Sequence, residues 1–188
     1  QTVQEGLTGI LKKYSQGEVP VILETKENFI PKLAKTLLEE NRIALGVSGQ
    51  SASGKTTKVL NPLKSTFPDK VTIISGDNYY KDVSAKIKEA GSVGKLIESG
   101  YSFDDPGSVN LERLAADLVK LKRGEDTLIP VYHMDGTGVS IPDGLLIQPK
   151  KIIAVDSIFA LNPEVKNELD IKVFVHKDPD ELKKGWYA

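Results

Sequence analysis

The sequence contains no cysteine, one tryptophan, one methionine and two histidines among 188 residues. Without cysteine there can be neither a disulfide framework nor a thiolate metal site. No apolar run approaches the ~18 residues of a membrane-spanning helix, and no secretory leader pattern opens the chain. The expectation is a cytoplasmic protein with no membrane partner. Charge of one sign is also missing in excess, because 25 Lys+Arg stand against 26 Asp+Glu. A net charge of −1 gives no reason to expect nucleic acid as a partner. Arginine is scarce and occurs only at Arg42, Arg113 and Arg123. Internal repeats and low-complexity segments are absent too. What is present, 39% hydrophobic and 27% charged residues, suits a globular domain large enough for a good core. A homo-oligomer stays open.

The most specific stretch is GQSASGKTT, residues 49–57. It contains G-x-x-x-x-G-K-[ST] as Gly49, Gly54, Lys55 and Thr56, the phosphate-cradling P-loop pattern. At average residue usage these four fixed positions coincide in roughly one of 10⁴ windows or fewer. The apolar run Ile43 to Val47 in front reads as a buried strand, and Thr56 to Leu63 behind can open a helix broken only by Pro62. Glycine without a Cβ lets such a loop turn its N–H groups inward, and the following helix adds its positive end. Residues Gly49, Gln50, Ser51, Ala52, Ser53, Gly54, Lys55, Thr56 and Thr57 are therefore expected to bind a nucleoside triphosphate, ATP. Lys55 would reach the β/γ-phosphates, and the Thr56 hydroxyl would ligate Mg²⁺.

The remainder divides into residues 1–41 and residues 42–188. In the first part, 2–14 and 28–41 have helical spacing and 19–23 reads as a short strand. No chemistry is legible there, and it is expected to be an appendage of unknown role. From residue 42, strands and helices alternate, which predicts an α/β fold with a mainly parallel sheet covered on both faces. Strands are expected at 71–75, 127–132 (interrupted by Pro130), 152–155 and 171–175, and a helix over 111–121 ending near Gly124. Residues 81–100 read as a mobile helical excursion, 101–106 as an ordered loop, and 133–143 as a Gly-rich reversal.

In a sheet of this kind ligands sit at the carboxyl ends of the strands. Asp77, Asp156 and Asp178 lie at or just past such ends. Asp156 fits a Mg²⁺-holding carboxylate best, although a loop cap would look the same. Asp77 is the candidate catalytic residue beside Lys55, since a carboxylate near Mg²⁺ can orient an acceptor hydroxyl and take its proton. For the same reason Asp77 is also a candidate metal residue. Tyr79 and Tyr80 follow it and can pack on a substrate ring, although a tyrosine beside a strand end is as often core. Asp135-Gly136-Thr137-Gly138 matches the short D-x-x-G of GTPase switches, but no guanine-reading N-K-x-D exists, which disfavours a GTPase.

Taken with the loop, SGDNYYKD, YSFDDPGSVNLERL, LIPVYHMDG and IIAVDSIFAL resemble, in order and spacing over about residues 42–182, the uridine kinase / phosphoribulokinase family of P-loop kinases. The resemblance implies a P-loop NTPase fold, with Asp77 as catalytic base and Asp104 on the ribose hydroxyls. It also implies Tyr132 in the base pocket and Asp156 at Mg²⁺. His133 adjoins that pocket. Three departures stand out. The family's Glu-Gly is Asp156-Ser157 here, its base-reading histidine is replaced by the stretch 134–138, and no lid arginine follows Arg123. The expectation is that a lid helix lies beyond residue 188 or that transfer is impaired. The implied activity is transfer from ATP to a hydroxyl of a small molecule, first a nucleoside such as uridine or cytidine. A sugar phosphate or other alcohol is the alternative, and a transfer-deficient nucleotide-binding module is another.

Overall fold

The computed structural model describes residues 21–23 and 42–176. Seven strands occur among them: β1 (Val21–Leu23), β2 (Ile43–Ser48), β3 (Val71–Ser75), β4 (Thr127–Tyr132), β5 (Ser140–Ile147), β6 (Ile152–Asp156) and β7 (Ile171–Val175). Five of them form one sheet in the order β1-β7-β2-β6-β3, and β4 and β5 form a separate pair. Pairings β2/β6, β2/β7 and β3/β6 are parallel, whereas β1 runs antiparallel to β7. The mainly parallel sheet is thus as expected. Val21–Leu23, assigned on sequence to the appendage, is instead the edge strand of this same sheet, because β7 offers it a free backbone edge. The helices expected at 2–14 and 28–41, and Asp178 with its helix start, lie outside the described residues.

Period-two alternation sends each strand to both faces. Ile43, Leu45 and Val47 of β2, with Ile152 and Ala154 of β6, join one buried cluster with Val59, Leu60, Leu63 and Phe67. Those four belong to or follow α1, which is wound as a π-helix over Lys55–Leu60 and as an α-helix over Asn61–Thr66. Ala44, Ile153 and Val155 point the other way, onto Leu114, Leu118 and Leu121. These lie on α4 (Leu111–Arg123), which Asn110 caps through Arg113 N–H and Gly124 ends. Both faces are covered, so the central strands are fully apolar.

The helix after the loop outruns its expected end. Pro62 does not break α1, because it falls in the first turn of the α-wound part, where no intrahelical donor is needed. The excursion at 81–100 is two short helices, α2 (Ser84–Ala90) and α3 (Val93–Glu98). Val83, Ile87 and Leu96 tie this excursion into the core. Between Asn162 and Asn167 lies a short helix, α5 (Pro163–Lys166). Strand β4 leaves the parallel sheet, with a register shift at Pro130 where the ladder loses a donor. Its partner β5 had no sequence expectation.

Candidate active site

The loop after β2 crosses the carboxyl end of β7. A Cβ at Gly49 (φ 150) would lie 2.3 Å from the Val175 carbonyl oxygen, so only glycine lets the chain pass. Gly54 (φ 98) turns the loop into α1, and Ala52 (φ 60) is the one non-glycine residue with positive φ among the described residues. Gln50, Ser51, Ala52 and Thr57 are exposed, while Ser53 is buried with its N–H donating to Gln50 O at 3.1 Å. Lys55 Nζ donates to Gly49 O (2.9 Å) and Gln50 O (3.1 Å), which holds its ammonium over the loop. Such a loop can cradle an anion.

Three acidic or hydroxyl side chains meet this lysine. In the register, Asp156 lies beside Val47 on one side and Ser75 on the other. Its Oδ2 accepts from Thr56 Oγ1 at 2.5 Å. Asp77 follows β3 on a 3₁₀ turn, Gly76–Tyr79. Asp77 is exposed, yet desolvation first and then the charge of Asp156 raise its carboxyl pKa, with Lys55 opposing. The lysine responds in kind: desolvation lowers its pKa, and Asp156 and Asp77 pull it back up. Thr56, Asp156 and Asp77 offer hard oxygen donors that fit Mg²⁺. No cluster of three His, Cys, Asp or Glu side chains placed to hold a metal ion occurs among the described residues.

Ser157, where the family pattern has glycine, is buried. Its N–H donates to Val47 O (3.2 Å) and its Oγ accepts from Phe159 N–H (3.1 Å). A Cβ at Gly76 would stand 2.4 Å from the Ser157 Cβ, so glycine at 76 makes room for the serine. The departure is absorbed by packing and leaves Asp156 in place.

Tyr80, three residues after Asp77, lines a cavity of about 250 Å³ with Val93, Phe103, Tyr132, His133 and Met134 among others, and among the described residues no lysine or arginine lines it. The Tyr80 ring centroid is 5.5 Å from Phe103 and 5.4 Å from Tyr132. Tyr80 OH donates to Phe103 O at 3.2 Å. Burial first, then the charges of Asp77 and Asp104, push this hydroxyl up to about 12. Tyr80 therefore stands within the field of both acids. Asp104 itself is exposed. His133 lines the cavity, and its Nε2 is buried without a hydrogen-bond partner.

One expected contact is corrected. Tyr79 was expected at the substrate, but its ring is 1% exposed and its OH donates to buried Asp117 Oδ2 at 3.3 Å. Tyr80 takes the position at the cavity instead. In the 3₁₀ turn residues three apart share a side, which aligns Tyr80 with Asp77 and turns Tyr79 inward. Phe103 and Met134 lie in stretches that carried the resemblance and one of its departures but had no assigned role, and nothing in its sequence context marks Val93.

The family model described as Phosphoribulokinase / Uridine kinase family matches residues 44–184. The chain belongs to that family. A uridine kinase of Chlamydia pneumoniae is 33% identical over 138 residues, which cover 73% of this chain and 59% of that protein. A uridine kinase of Schizosaccharomyces pombe is 31% identical over 72% of this chain and 29% of that protein. The chain thus spans about three-fifths or less of the length of these two curated relatives. Solved structures agree on the P-loop kinase fold. A possible uridine kinase of Bacillus stearothermophilus superposes with TM-score 0.56 at 20% identity, covering 84% of this chain and 86% of that one. A candidate fructose transport system kinase of Silicibacter sp. TM1040 gives TM-score 0.61 at 15% identity, covering 82% and 77%. Among the described residues no helix is long and apolar enough to cross a membrane.

Proposed function

We propose that this protein is an ATP-dependent phosphotransferase whose acceptor is the 5′-hydroxyl of a nucleoside such as uridine or cytidine. The observation that carries the reading is the position of Asp77. Its charge is felt by Lys55 on the nucleotide side and by Tyr80 on the cavity side. A carboxylate there can take the hydroxyl proton while the freed oxygen attacks the γ-phosphorus and ADP departs. Lys55 and the loop N–H groups hold the polyphosphate. Thr56 and Asp156, with Asp77, would hold Mg²⁺, which when bound neutralises charge on the phosphate oxygens.

The walls of the cavity favour a nucleoside over a sugar phosphate. Tyr80, Phe103 and Tyr132 form a ring-lined wall, and among the described residues no lysine or arginine lines the pocket to meet a phosphorylated acceptor. Tyr132 and His133 would contact the base, and Asp104 the ribose hydroxyls. The test is ADP release from Mg·ATP with uridine, cytidine, ribulose 5-phosphate, pantothenate and glycerate offered separately. Stimulation by uridine or cytidine supports the reading. Stimulation by one of the other acceptors alone overturns the nucleoside assignment. Retained ATP binding with no acceptor active favours a nucleotide-binding module.

A further inference from the structure

Behind the cleft lies a polar chain that the proposed reaction does not use. The carboxylate of Asp117 is fully buried in the middle of α4. It accepts from Tyr79 OH at 3.3 Å, from Arg113 Nε at 2.8 Å and from Lys120 Nζ at 3.4 Å. The other arm of Arg113 reaches the β4–β5 hairpin, where Nη2 donates to Leu128 O at 2.8 Å and to Asp143 Oδ1 at 2.9 Å. One guanidinium thus joins three elements. Tyr79 closes the 3₁₀ turn that carries Asp77, α4 carries the pair itself, and β4 carries Tyr132 toward the cavity.

Stability alone is a weak account of this arrangement. The Arg113 side chain is 33% exposed, so solvent screens much of its attraction to Asp117. What a fork of fixed geometry supplies is direction: its donors hold two partners at one mutual angle, which a lysine's point charge does not. The hairpin lies outside the main sheet and most of β5 is exposed, while β4 is largely buried and Ile129 and Tyr132 join the core. Toward its tip it is tied by Ser140 N–H to Asp82 Oδ2 (2.9 Å) and by Val83 N–H to Gly138 O (3.0 Å). At its base the Arg113 fork ties it to α4.

We propose that Arg113, seated on Asp117, is a positioning residue that fixes the acceptor hairpin relative to the turn bearing Asp77. The inference rests on the functional reading above for which site is being positioned. The test uses Arg113→Lys, which keeps the charge beside Asp117 but loses the fork, with Arg113→Ala for comparison. Initial rates and amide hydrogen exchange are measured on the full chain. For Arg113→Lys the expected result is about a tenfold fall in kcat/KM for the nucleoside, with the KM for Mg·ATP changed by no more than about twofold. Amides of 127–147 and 76–80 should exchange faster, and those of β2 should not. Parallel losses toward ATP and nucleoside overturn the inference, as does unchanged exchange in the hairpin. If the wild-type protein phosphorylates no nucleoside, the functional reading fails, and the exchange pattern alone decides whether the fork holds the hairpin to the turn.

Discussion

The two sides of the cleft are made of different materials. On the nucleotide side, residues 49–56 are shaped by backbone: glycine torsions and a lysine folded over its own loop carbonyls. This loop is anchored to β2 in the middle of a sheet buried on both faces. On the acceptor side the ligand surface is side chain. Rings from three separate segments meet at Tyr80, Phe103 and Tyr132, and one wall is a hairpin with an exposed outer strand. Backbone recognition demands particular residues at fixed spacing, whereas a ring pocket can be assembled from many sequences. In the proposed reading the nucleotide side is the general half of the site, and the acceptor side is where selectivity would be set.

Asp77 joins the halves, so its loss should have the largest effect. Asp77→Asn should lower turnover by about 10²–10⁴ while Mg·ATP binding, followed by calorimetry, stays close to wild type. Activity surviving that change would break the assignment. The pKa shift adds a signed expectation. Because the folded-state pKa of Asp77 is raised, the native state binds the proton more tightly than the unfolded chain does. Stability is therefore lost as pH rises through the interval between the ordinary and the raised value. Asp77→Asn should then raise Tm at neutral pH, and the gain should vanish on acidification below the ordinary carboxylate range. The acid limb of the kcat/KM profile should likewise lie above that range, since the base acts only when deprotonated.

Gly49→Ala tests the nucleotide side alone. Its Cβ would meet a backbone carbonyl rather than a flexible tip, so about 1–3 kcal/mol of stability should be lost, together with ATP binding. Tyr132→Leu is the matching change across the cleft. It keeps an apolar side chain but removes a ring, and should raise the nucleoside KM about tenfold while leaving the KM for ATP alone. If both constants moved together, the two sides would not be separable in the way described. The smallest effect is expected at Ala52. Replacing it by glycine relieves a left-handed torsion and should stabilise the protein by about 0.5–1 kcal/mol, read by denaturant unfolding.

Legibility in the sequence follows the same division. The loop, the strands at Ile43, Val71, Ile152 and Ile171, and the acids Asp77 and Asp156 could be read because each depends on local pattern or on chain order. Strand β5 could not. Its IPDGLLI carries Pro142, Asp143 and Gly144, all poor strand formers. Its strand form is set by pairing with β4 rather than by its own preference. The choice between Tyr79 and Tyr80 also escaped, because one residue of turn winding decides which ring faces the cavity and which enters the core.

By itself the sequence determined an α/β P-loop fold, the glycine loop after β2 and the acids at the strand ends, and the order of its motifs carried the resemblance to a kinase family. The fold follows from glycine spacing and hydrophobic periodicity, both properties of neighbouring residues. Only the tertiary structure decided that Val21–Leu23 completes the main sheet and that Ser157 fits because residue 76 is glycine. It also decided that Tyr80, Phe103 and Tyr132 share one cavity and that Arg113 spans from Asp117 to the hairpin. Those facts depend on which distant surfaces meet, and contact between residues far apart in the chain leaves no period in the sequence to be read.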